Sequence, residues 1–124
     1  MDDRPGDRSR EDRLEKLREL AASEPDDALA RFLLGREASG QGLHEEARAA
    51  FAAAVEIDPH YTAAYRHWGN ALEALARYDE AAVVYARGTR VAERSGDLQA
   101  GKEMGAFLKR LERERGVKPP DETP

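Results

Sequence analysis

Three histidines, four serines, a set of arginines and lysines and no cysteine are what this chain offers for chemistry. The missing cysteine removes disulfides, zinc ribbons, iron–sulfur ligation and thiol catalysis together. His44, His60 and His67 do not pair at metal-ligand spacing. His44 and Glu45 are neighbours that point apart on a helix, and His60 to His67 spans a turn and nearly two helical turns. Ser9, Ser23, Ser39 and Ser95 fall at expected caps and turns with no associated base, as local backbone hydrogen bonding requires. No glycine-rich loop follows a strand, so a phosphate cradle is missing too. Neither a nucleophile–base pair nor a metal set emerges, and the expectation is a non-enzyme with no cofactor and no metal. The chemistry left to the remaining polar side chains is that of binding. An asparagine amide grips a peptide backbone through donor and acceptor while a guanidinium takes a carboxylate.

Positioning such side chains falls to a chain of 124 residues, 40% hydrophobic, 36% charged and only 6% aromatic. One compact domain fits that length. Its core must be built largely from alanine and leucine, a mix that suits closely packed helices. A net charge of -5 gives no excess of positive charge to displace counterions from phosphates, so nucleic acid is excluded as the expected partner. No stretch approaches the roughly 18 apolar residues of a membrane span, and no apolar run follows the first charges, Met1 to Asp7. The expected compartment is the cytoplasm.

The first nine residues lack apolar periodicity and are expected to be disordered. Ser9-Arg10-Glu11-Asp12 reads as a capping box, with Leu14, Leu17, Leu20 and Ala21 at helical spacing, predicting a helix over about 10–22. Pro25 follows, and Asp26 or Asp27 caps a second helix bearing Leu29, Phe32, Leu33, Leu34 and Ala38, stopped by Gly40-Gln41-Gly42. A third runs from Glu45 to Ile57 and ends at Asp58-Pro59. Two more carry Ala64, Tyr65, Trp68, Ala71, Leu72 and Leu75, then Tyr78, Ala81, Ala82, Val84, Tyr85 and Val91. The last, about 97–115, carries Leu98, Met104, Phe107, Leu108 and Leu111, before a tail over 116–124 expected to be disordered. No period-two alternation marks a strand, so the fold class is all-α with six helices.

Shifting the sequence by about 34 residues aligns Leu34-Gly35 with Trp68-Gly69, Ala38 with Leu72, Ala47 with Ala81, Phe51 with Tyr85, Ala54 with Gly88 and Pro25 with Pro59. On these residues the chain resembles a tetratricopeptide repeat (TPR) protein, with repeats at about 28–61 and 62–95 in one domain over 10–115. Small residues at helix crossings set the interhelical distance, so Gly35 and Gly69 are expected to face Ala47 and Ala81. Phe51 and Tyr85 fill volume between units, and Trp68 takes a core slot. Arg31 and Glu93 depart from the family pattern, at a large apolar position and at the second unit's proline. The final helix re-enters the register two residues late at Met104-Gly105, as a terminal cap. Two units need covers at both ends.

The resemblance implies an α-α superhelix whose first helices line a concave face that binds extended peptides. Carried over residue by residue, that face presents Leu29, Phe32, Arg36 and Ser39, then Ala63, Arg66, Asn70 and Glu73, then Gln99, Lys102 and Lys109. Arg36, Arg66 and Lys102 would form a locally positive groove. Arg66 and Asn70 resemble part of the carboxylate clamp of chaperone-binding members, but Glu103 stands where a full clamp needs asparagine. Phe32 reads either as an apolar floor for a peptide or as packing under the first helix with Leu17 and Leu20. The expected function is non-catalytic capture of a segment or helix of a partner protein, with the chain a monomer or weak homodimer. The alternative is structural self-association through an end helix.

Overall fold

The computed structural model describes residues 5–118, and these hold six helices joined by short turns. The helices are α1 (Pro5–Ser23), α2 (Ala28–Gly40), α3 (His44–Ile57), α4 (Thr62–Ala74), α5 (Tyr78–Ser95) and α6 (Leu98–Arg115). Successive helices pack as antiparallel neighbours, so α2–α3 and α4–α5 are two hairpins flanked by α1 and α6.

α1 begins at Pro5 rather than near residue 10, which places the expected capping box inside the helix. Proline suits a first helical turn because its missing N–H would have no partner there. Residues 5–9 are therefore helical, while residues 1–4 of the expected disordered segment lie outside the described residues. The tail expectation changes as well. Gly116 closes α6 in the left-handed conformation at φ 67°, and Val117 then folds back to only 9% exposure. Residues 119–124 lie outside the described residues.

The crossings explain the small residues. A Cβ on Gly35 would lie 2.6–2.8 Å from three ring carbons of Phe51, and one on Gly69 would strike the ring of Tyr85. Each glycine therefore makes room for the aromatic four residues beyond the alanine expected to face it. Ala47 and Ala81 are themselves fully buried. Phe51 and Tyr85 have no exposed surface, and each meets a ring from the next unit: His67 at 5.4 Å and Phe107 at 5.4 Å. Such pairs add to the burial that joins neighbouring units.

Candidate functional site: the concave face

α2 touches α4 and α4 touches α6 along their backbones, whereas α1, α3 and α5 approach one another nowhere as closely. The first helices of the hairpins are thus drawn together on one side, which makes α2, α4 and α6 the lining of the concave face.

On α4 the binding candidates are already engaged. Arg66 Nε lies 3.6 Å from Glu103 Oε2 on α6, and Arg66 Nη2 lies 3.4 Å from His67 Nε2. Glu73 accepts from Arg110 Nη2 with both carboxylate oxygens at 2.8 Å. The Tyr85 hydroxyl lies 2.6 Å from Asn70 Oδ1 and 2.5 Å from Glu73 Oε2. A hydroxyl has one proton, and the carboxylate is the stronger acceptor. With the Asn70 amide turned about, its nitrogen donates to the Tyr85 oxygen and every group is satisfied. Burial and the bond to Glu73 push the Tyr85 hydroxyl far above the usual tyrosine range, and Glu73 raises Arg110.

α6 keeps the expected register, starting at Leu98 as α4 starts at Thr62, two residues later than a 34-residue repeat would place it. Glu103 and Arg110 face α4, while Lys102 lies in a cleft with Glu93, Asp97 and Leu98. One residue is about 100° of helix, enough to carry a side chain off a face. The expected trio of Arg36, Arg66 and Lys102 is therefore not brought together. Glu103 and Arg110 were missed as groove residues. The signal was an acid and a base seven apart, two helical turns, facing their opposites Arg66 and Glu73, also seven apart.

The α2 side differs. Phe32 is 8% exposed and packs toward α4 instead of under α1, with ring centroids 4.9 Å from Tyr61, 5.2 Å from His67 and 5.7 Å from Phe51. Its neighbour Leu33 is the exposed one, at 37%, with Leu29 at 54%. Leu33 and Arg36 share a cleft of about 390 Å³ with Leu17, Glu37 and Gly40. Arg36 is exposed and has no ion-pair partner among the described residues. Beside it His67 is held well below its ordinary value, to about 4, by burial first and then by Arg66 and Arg36. The ring is neutral at pH 7, which suits its stack on Phe51.

The concave face so built has an apolar, cationic α2 side and an α4–α6 side whose charges are mutually paired. Stacked helical hairpins with small residues at the crossings and polar side chains on the inner face define an α-helical repeat scaffold. The comparisons make the class specific. Residues 28–61 match the model of the tetratricopeptide repeat family. A TPR repeat-containing protein of Pseudomonas aeruginosa is 36% identical over 102 residues, covering 82% of this chain and 97% of that protein. The chain belongs to the tetratricopeptide repeat family. A tetratricopeptide repeat domain protein from Salinibacter ruber, solved in solution, superposes with a TM-score of 0.70 at 30% identity, covering 78% of this chain and 98% of that one. A Bordetella parapertussis protein gives 0.70 at 32%, covering 82% and 88%. The Sgt2 TPR domain from Aspergillus fumigatus gives 0.72 at 24%, covering 94% and 78%, a likeness of fold. Domains of this family generally mediate protein–protein interaction and are generally non-enzymatic scaffolds. Among the described residues no helix is long and apolar enough to cross a membrane.

Proposed function

We propose that the chain is a non-catalytic interaction module that takes a short segment or helix of a partner protein on its concave face, engaging chiefly the α2 side. The observation that carries this is the exposed pair Leu29 and Leu33 beside Arg36, which has no ion-pair partner among the described residues. An apolar side chain followed closely by a carboxylate complements that pattern: one removes apolar surface from water, the other meets the guanidinium. Arg66, Asn70 and Glu73 belong to the same face, but a ligand must compete there with Glu103, Tyr85 and Arg110. The test is a pull-down from native lysate with the wild type, a Leu33→Ser/Arg36→Glu variant and an Arg66→Glu/Asn70→Ala variant, each shown helical by circular dichroism. Partners retained by the wild type and lost by the first variant are the expected result. Identical partner sets from all three would remove the concave face from the function.

A second reading, self-association through the end helix, has one observation in its favour: Leu98 on α6 is 70% exposed. Light scattering over a wide concentration range decides it, and a strict monomer sinks it.

A further inference from the structure

Leu29, Leu33 and Arg36 are spaced four and three apart and so share one stripe of α2. Leu17 of α1 stands beside Leu33 in the cleft of about 390 Å³. Leu20, exposed and nearly one turn further along α1, lies toward Leu29 because the two helices run antiparallel. Four leucines thus wall a shallow groove between α1 and α2. From Leu29 to Arg36 it runs seven residues of helix, about 10 Å.

Its two ends carry opposite charge. At the C-terminal end of α2 stands Arg36, with no ion-pair partner among the described residues. At the N-terminal end a second cleft, of about 550 Å³, is lined by Leu29 and Tyr61 together with Glu24, Asp26, Asp27 and Asp58. Two of these carboxylates serve the fold: Asp27 accepts from the Ala30 amide at 3.1 Å, and Asp58 from the His60 amide at 3.0 Å. The side chains of Glu24 and Asp26 have no partner among the described residues, and although Asp26 also borders the cleft that holds Arg31, no ion pair joins them. Tyr61 lies within reach of both ends. Burial raises its hydroxyl above the usual tyrosine value first, Asp58 and Asp27 add to the rise, and Arg36 opposes them.

We propose that this groove binds an amphipathic helix of a partner protein that runs antiparallel to α2, with an acidic first turn at Arg36, leucine-sized side chains four apart against Leu29 and Leu33, and a basic last turn at Glu24 and Asp26. The proposal rests on the concave-face reading above and adds the form and direction of the ligand. Leucines on both walls favour a helix, which offers a stripe about 100° wide, over an extended chain, which offers a single file of alternate side chains. Charge then fixes the direction. A helix with acids in its first turn and bases in its last is stabilised by its own dipole, and laid antiparallel it brings each charge to its opposite. The parallel arrangement needs bases first and acids last, against that dipole. Antiparallel docking is also the relation that successive helices of this fold already have.

Three labelled peptides test this by fluorescence anisotropy with the 124-residue chain. The first is an alanine-based helix with two glutamates in its first turn, two leucines four apart in the middle and two lysines in its last turn. The second exchanges the glutamates and the lysines, and the third keeps the first peptide's charges with a proline between the leucines. The expected result is saturable binding of the first, about tenfold tighter than either of the others. Arg36→Gln and Glu24→Gln/Asp26→Asn should each weaken the first peptide and narrow its advantage over the second. All three side chains are exposed and hold no printed contact of the fold, and circular dichroism checks that the variants remain helical. Equal binding of the first two peptides overturns the direction, equal binding of the proline peptide overturns the helix, and unchanged affinity in both variants or no binding at all overturns the site. Each of these results leaves the concave-face reading standing, since that reading falls only if wild type and variants retain identical partners in the pull-down.

Discussion

Alanine at Gly69 and alanine at Gly105 should move stability in opposite directions, although the two glycines occupy matching register on α4 and α6. At Gly69 the new Cβ would sit 2.6 Å from two ring carbons of Tyr85 and nearer still to a third. Carbon atoms at rest keep about 3.5–4.0 Å. Tyr85 cannot yield: it is fully buried, its hydroxyl is held by Glu73 and Asn70, and Phe107 packs on its ring at 5.4 Å. Overpacking of this kind costs about 1–3 kcal/mol. Alanine's better helix propensity offsets about 1 kcal/mol of that, and the severity of the overlap points to a net loss near 2 kcal/mol. At Gly105 no atom lies within 4 Å of the added Cβ, so only the propensity gain of about 1 kcal/mol remains. The two variants should therefore differ by about 3 kcal/mol. Urea unfolding followed by helix circular dichroism and Trp68 fluorescence measures this as a shift of midpoint at constant slope. The contrast exists because, among the described residues, no helix follows α6 to place an aromatic against Gly105. A Gly105→Ala variant less stable than wild type would show that this face is covered, and the reading of α6 as an open terminal cap would fall.

The turn after α4 carries Ala76 at φ 58°, where the first hairpin has Gly42 at φ 77°. The left-handed conformation costs a non-glycine residue about 1–2 kcal/mol and glycine loses about 0.5–1 in chain entropy, so Ala76→Gly should stabilise by about 0.5–1 kcal/mol in urea unfolding; a loss of stability would refute the turn geometry. His67 titrates near 4 in the folded chain, held down by burial and the two arginines, against about 6.5 unfolded. The unfolded chain then binds the extra proton between those values, so stability rises with pH across that window and falls on acidification toward 4. His67→Phe keeps a ring against Phe51 and should flatten that limb of the stability-versus-pH curve; parallel curves for the two proteins would show that His67 is not its source. Tyr85→Phe removes the hydroxyl that joins Asn70 to Glu73 and should cost about 1 kcal/mol, read as a lower urea midpoint, while Arg110 keeps Glu73 paired; no shift would mean the hydroxyl is solvated in solution.

The repeat was legible because its spacing is carried by residues with few substitutes. Gly35 and Gly69 must be small where Phe51 and Tyr85 must be large, and a 34-residue shift superposes both demands. The concave face was less so. Phe32 and Leu33 are adjacent and both apolar, and only the rings of Tyr61 and His67 decide that Phe32 turns inward while Leu33 stays out. The partners on α6 were hidden for a related reason. Lys102 and Glu103 are adjacent and both charged, and only the packing of Met104 at Gly88 decides that Glu103 is the one to meet Arg66. At the N-terminus the helix runs on past Ser9 to Pro5, where a proline suits the first turn.

These outcomes locate the available binding energy. A charge read from sequence as part of a positive groove contributes to a ligand only to the extent that the fold leaves it unpaired. Replacing an existing ion pair with a ligand's carboxylate exchanges one interaction for another and adds little. Arg66 and Glu73 are in that position, each answered by a side chain of α6, the helix that a two-unit array needs in order to cover its end. Capping and recognition therefore compete for the same inner positions on α4. At the other end α1 packs against α2 through Leu14 and Ala21 and leaves Leu33 and Arg36 open. The asymmetry follows from what each cap presents: α6 offers Glu103 and Arg110 to its neighbour's inner face, whereas the side chain α1 places beside Arg36 is the uncharged Leu17.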